Sequence, residues 1–158
     1  MNMWLNAIMV LLALSNLILL GASRLGMYIR CVAFQGFLLG AFTLIAHVDD
    51  LTVHVWLLAV AGTLLRGIVF PAFLSHTLRD SGVRREVEPY VGYTPSILCG
   101  VAMLGVSIWL GRRLPVPAAA LPQFVVAVAL MLILVGLFLI VTRRKALSQL
   151  LGYLVLEN

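Results

Sequence analysis

A chain of 158 residues that is 63% hydrophobic and only 11% charged lies outside the soluble globular class, where roughly a quarter of residues are charged. So short a chain cannot bury that much apolar surface in one core, and lipid must cover the remainder. The net charge of +5 does not point to nucleic acid, because the basic residues stand in short clusters between apolar runs and are not interleaved with aromatics along a face.

The expected architecture is an all-α integral membrane protein of about six transmembrane segments, the last truncated. A helix needs about 20 apolar residues to cross the hydrocarbon core. The first run extends from Met3 to Leu20; no basic residue precedes it, so it reads as a retained helix and not a cleaved signal. Further spans are expected at Tyr28–Ala46, Leu51–Leu78, Thr94–Leu110 and Gln123–Val141. A sixth apolar segment opens at Ala146 and has 13 residues to Asn158, too few to span at about 1.5 Å per residue. Either it re-enters the membrane or, the favoured reading, the chain is a fragment whose partner helices lie beyond the C-terminus. The connections are expected at Gly21–Met27, His47–Asp50, Arg79–Tyr93, Gly111–Pro122 and Thr142–Lys145, with the three prolines of Leu114–Pro122 favouring extended backbone.

Counting connections alternately, one side receives Arg24, Arg30, Arg79, Arg84, Arg85, Arg143, Arg144 and Lys145. The other receives Arg112 and Arg113, together with Asp49 and Asp50. Basic residues favour the cytoplasmic side, which predicts an N-terminus outside. Cys31 and Cys99 are isolated in apolar surroundings and read as small buried hydrophobes, with no spacing suited to zinc or an iron–sulfur cluster. A haem needs two histidines facing each other from different helices, and only His47 and His54, at the surface end, approach that demand.

Two charges fall inside apolar runs. Arg66 lies near the middle of the third span, where a cation costs several kcal/mol (about 3) unless it faces a cavity or a partner. Pro71 removes the backbone donor to the Gly67 carbonyl and is expected to kink the helix beside it. The functional reading is an ion path; the structural one is an ion pair with a neighbouring subunit. Glu157 follows Lys145 by 12 residues, so a helix carries it about 18 Å inward, to the midplane. There it is either a proton-exchanging carboxyl or, if the segment ends near the surface, a solvated charge. His54 follows Asp50 by four residues and His76 precedes Asp80 by four, so each pair shares a helix face at one end of the third span. Such pairs either hand protons inward or satisfy helix ends. The Arg84–Pro89 run, with Arg84, Arg85, Glu86 and Glu88, is a solvated loop or a docking surface. No metal site and no nucleophile–base pair stands out, so the chain is not expected to be an enzyme by itself.

The C-terminal stretch TRRKALSQLLGYLVLEN, Thr142 to Asn158, follows a helix ending GLFLIVT. It resembles the start of subunit K of respiratory complex I, and of the C component of the cation/proton antiporters that are built from several subunits. In those families a helix ends at paired arginines on the cytoplasmic side, and the next carries a glutamate followed closely by asparagine. Arg143, Arg144 and Glu157 match by order and spacing. The block RGIVFPAFLSHTLRDSGVRREVEPYVGYTPSIL, Arg66 to Leu98, resembles the E component of membrane-bound hydrogenase-four, of the group-four nickel–iron hydrogenases. That component looks like subunit K with extra N-terminal helices, and the two resemblances cover nearly the whole chain.

The resemblance implies a four-helix N-terminal extension over 1–122 and the start of a subunit K-like core over 123–158. It implies a non-redox membrane-arm subunit of a redox-driven proton or sodium translocating complex in a bacterial or archaeal inner membrane. Glu157 would be the membrane-embedded carboxyl of the path, with Asp50/His54 or His76/Asp80 linking it to water. Arg143, Arg144 and Lys145 would serve contacts at helix ends or with other subunits, as would the Arg84–Glu88 run. The expected partners are antiporter-like subunits and a hydrogenase-like or quinone-reductase-like peripheral arm, whose subunits would hold the nickel–iron and iron–sulfur centres. Two departures matter. Arg66 stands where lysine is expected in many relatives, which leaves it an electrostatic role because arginine keeps its proton. The third helix of the subunit K core, with a second glutamate, is missing after Asn158. The alternatives are a subunit of a cation/proton antiporter without a redox partner, and a purely structural membrane-arm subunit.

Overall fold

Within a bilayer each backbone amide must find its partner inside its own helix, so long apolar runs become helices whatever their propensities. In the computed structural model, residues 3–46, 53–80, 90–114 and 123–158 are described. Seven α-helices form among them: α1 (Met3–Gly21), α2 (Leu25–Ala46), α3 (Val53–Leu64), α4 (Phe70–Asp80), α5 (Tyr93–Arg113), α6 (Gln123–Thr142) and α7 (Ala146–Glu157). A π-helical turn, Leu65–Val69, joins α3 to α4. The fold is thus all-α among the described residues. Five helical stretches, with Trp56–Arg79 counted as one, are long and apolar enough to cross a membrane, and α7 is shorter. The chain has the build of a multi-pass membrane protein.

Helix α1 packs on α2, α5 and α6; α2 carries the α3–α4 segment on its other side; α6 and α7 form a close hairpin. The core is filled by Leu12, Leu19, Leu20, Tyr28, Met131, Val135, Leu139 and Val155. With lipid as solvent, tight backbone approach does much of the work that apolar burial does in water. Gly136 and Gly152 permit it in the α6–α7 hairpin. A Cβ on Gly136 would come within 2.6 Å of the Leu156 Cβ, and one on Gly152 within 3.0 Å of the Ile140 nitrogen.

Some expectations need correction. Helix α2 starts at Leu25, ahead of the expected Tyr28, so the first connection is only three residues long. Helix α5 runs on to Arg113, placing Arg112 and Arg113 in its last turn, where cations offset the helix dipole. The third span is no single α-helix but is widened by the π turn next to Pro71. Cys99 faces outward, because the inner face of α5 is made of Ser96, Gly100, Ser107 and Gly111; Cys31 is half-buried.

Candidate functional site

Pro71 has no amide hydrogen, so the Gly67 carbonyl loses its usual α-helical donor. Upstream the chain adopts the wider repeat, in which the Phe70 N–H donates to the Leu65 carbonyl. Widened turns of this kind are frequent at functional sites. Arg66 is the second residue of this turn. Its backbone is met by α2 at Gly36, where a Cβ would come within 2.8 Å of both the Arg66 carbonyl carbon and the Gly67 nitrogen. Four residues on, Gly40 admits Thr63, whose Oγ1 donates to the Ala59 carbonyl at 2.6 Å. The glycine pair lets α2 lie directly against the irregular backbone.

Glu157 is the last residue of α7. The Arg66 guanidinium reaches it, with Nη2 at 3.7 Å from Oε1, and the two form an ion pair. Two charges separated by 91 positions in sequence, each read alone as a mid-membrane charge, therefore meet. The side chains remain 36% and 42% exposed. Around them Leu65, Ile68, Val69 and Phe73 present a bare apolar surface. The pair thus lies on an outward face of the bundle.

A second polar group sits on the other side of α2. Gln35 is fully buried and donates through Nε2 to Ser15 Oγ at 2.9 Å and to Asn16 Oδ1 at 3.1 Å. Ser15 and Asn16 in turn donate to the Leu12 carbonyl. Gln35 and Gly36 are successive residues, so the amide–hydroxyl cluster and the Arg66 turn occupy the same level of the bundle. Polar groups from α1, α2, the π turn and α7 therefore form a transverse layer. The sequence signal was present but weak: serine, asparagine and glutamine within apolar runs.

The other expected residues are dispersed. His54 is exposed at the start of α3 and His76 is exposed on α4. Twelve and ten residues of helix, about 18 and 15 Å, separate them from Arg66. Asp80 ends α4. Asp50, Arg84, Arg85, Glu86 and Glu88, with His47 and Asp49, lie outside the described residues.

Arg143 turns inward. It is fully buried, donates from Nη2 to the Leu20 carbonyl at 3.2 Å, and lies 5.8 and 6.0 Å from the ring centres of Tyr28 and Tyr93. It thereby joins the ends of α1, α2 and α5 to the α6–α7 turn. Arg144 points outward and stacks over Tyr90 at 4.2 Å, while the Tyr90 N–H donates to the Thr142 carbonyl. Lys145 precedes α7, and its carbonyl receives the Ser148 hydroxyl and the Ser148 and Gln149 N–H groups.

No family model matches the chain, and no solved structure matches it. Its sequence is similar to the uncharacterized protein Rv0085 of Mycobacterium tuberculosis, at 25% identity over 148 residues. The similarity covers 93% of this chain and 67% of that protein.

Proposed function

We propose that the chain is a non-redox membrane-arm subunit of a redox-driven proton or sodium translocating complex, of the group-four hydrogenase and complex I type. The observation that carries this reading is the Arg66–Glu157 pair, set at mid-span beside a π turn and open on an outward face. A charge pair at that depth exposed to hydrocarbon is costly, and a partner helix covering it removes the cost. Glu157 is the exchanging carboxyl. Arg66 keeps its proton and acts as a counter-charge that holds the carboxylate when close and releases it when the π turn shifts. The Ser15–Asn16–Gln35 cluster continues the polar level toward α1 and can orient water without itself titrating.

In this reading the electron-transfer centres, nickel–iron and iron–sulfur, belong to partner subunits, and 123–158 begins the subunit K-like hairpin. The end that gathers Arg24, Arg30, Arg79, Arg143, Arg144 and Lys145 is the cytoplasmic one, which places the N-terminus outside the inner membrane. The test is purification of the native complex in mild detergent, identification of its subunits by mass spectrometry, and ion uptake by vesicles carrying Glu157→Gln. Recovery of a hydrogenase-like large subunit with antiporter-like subunits, and loss of uptake in Glu157→Gln with assembly intact, is the expected result. Antiporter subunits alone would move the chain to the cation/proton antiporters. Full uptake by Glu157→Gln and by Arg66→Gln would leave it a structural subunit.

A further inference from the structure

Away from the ion pair, α1, α2 and α4 enclose a cleft of about 1030 Å³, at the upper end of the range for small-molecule sites. Its two ends differ in chemistry. At one end stand Arg24, Arg30 and Arg79, all exposed. The Arg66–Glu157 ion pair involves none of the three. From there the lining becomes apolar, through Ile18 and Leu14 to Leu11 on α1, with Phe34 opposite on α2. Leu11 lies ten residues from Gly21, the end of α1, or about 15 Å along the axis. That is half the hydrocarbon thickness, the depth of one leaflet.

A cationic head of three guanidinium groups above an apolar groove one leaflet deep has the charge and length complement of a single amphiphile. We propose that the cleft binds an anionic phospholipid, with its phosphate on Arg24, Arg30 and Arg79 and an acyl chain along Leu11, Leu14 and Ile18. Guanidinium groups suit phosphate because their paired donors match its oxygens. Basic pockets between membrane helices are recognised sites for acidic headgroups. A second protein helix would satisfy the apolar wall, yet it would have to bring acids to all three arginines at the membrane surface.

The test uses the full chain purified in mild detergent, with bound lipid read by native mass spectrometry after exchange against phosphatidylglycerol or phosphatidylcholine. Three arginines predict roughly tenfold or greater preference for phosphatidylglycerol. The combined Arg24→Gln, Arg30→Gln and Arg79→Gln variant should lose that preference, while Arg112→Gln with Arg113→Gln at the other end should keep it. Because charge removal can disturb insertion, Ile18→Trp provides a second test: it fills the acyl groove, keeps the arginines, and should lower phosphatidylglycerol retention. Unchanged preference in both the triple and the Ile18→Trp variants would overturn the proposal. So would complete displacement of the lipid by inorganic phosphate, or a protein segment cross-linked at Cys31 on the cleft wall in place of lipid.

Discussion

Arg143 and Arg66 bring the same guanidinium into the same bundle, and their surroundings are opposites. Arg143 is closed in by the chain itself, bonded to a helix-end carbonyl between two tyrosine rings, with no ion pair to a carboxylate among the described residues. Arg66 is held against an irregular turn, faces a carboxylate and remains open on one side. The first arrangement is sealed from any outside surface, with Nε and Nη1 left without hydrogen-bond partners among the described residues; the second is incomplete without a further surface. A buried cation enclosed by its own chain fixes a structure, whereas a paired charge left on an outward face is available for work.

The largest expected effect tests the closed side. Arg143→Ala leaves the Leu20 carbonyl without its donor and opens a void between Tyr28 and Tyr93, which together should cost about 3 kcal/mol or more. Arg143→Lys should recover only part of this, because an ammonium cannot span both ring faces and the carbonyl. Thermal unfolding in mild detergent measures both, and an Arg143→Ala protein that melts like the wild type would remove the distinction between the two arginines.

Next is the backbone that positions Arg66. Gly36→Val places atoms where the Arg66 and Gly67 backbone already lies, so α2 and the π turn must separate; about 1–3 kcal/mol is expected. The same variant should impair ion uptake by the assembled complex, since the turn carries the counter-charge. A valine tolerated without change in melting or uptake would show that the close approach is dispensable.

The two arginines also mark what was legible in the sequence. A charge inside a long apolar run is a strong signal, so Arg66 and Glu157 stood out individually, and Pro71 announced an irregular helix beside one of them. Their meeting was not legible, because it depends on α2 packing against both α7 and the π turn, and its close approach to the turn needs glycines at 36 and 40. Arg143 looked like its neighbours Arg144 and Lys145, three cations in a short connection. Only the fold turns one of them inward beneath Tyr28. The form of the irregularity at Pro71 was equally hidden: loss of one donor is compatible with a kink or a widened turn, and close contact with α2 accompanies the latter. Spans followed from length and hydropathy and were misplaced mainly at their ends, where a polar side chain can reach water from inside the helix, as Arg112 and Arg113 do.

A smaller effect is expected at the second polar group. Gln35→Leu removes two side-chain hydrogen bonds yet fills the same space with apolar atoms, and hydrogen bonds between membrane helices average about 0.6 kcal/mol each. If the transverse polar layer orients water for exchange at Glu157, uptake should fall far more than the melting temperature. Equal, minor changes in both would reduce the cluster to packing.

The smallest expected effect on stability belongs to the open side. In the detergent-solubilised chain the Arg66–Glu157 pair, at 3.7 Å and with both side chains more than a third exposed, should contribute about 1 kcal/mol or less. Arg66→Gln, Glu157→Gln and the double variant should therefore melt close to the wild type when the chain is alone. Inside the complex the two single variants should part from the double one. Each single variant leaves an unpaired charge under whatever covers the face, and removing one partner of a covered pair costs more than removing both. Assembly yield, compared across the four proteins, reads this directly: two weakened singles with a recovered double place the pair beneath a partner. Equal yields would mean the face stays open to lipid or water, and Arg66 would then have no more company in the complex than it has in the chain.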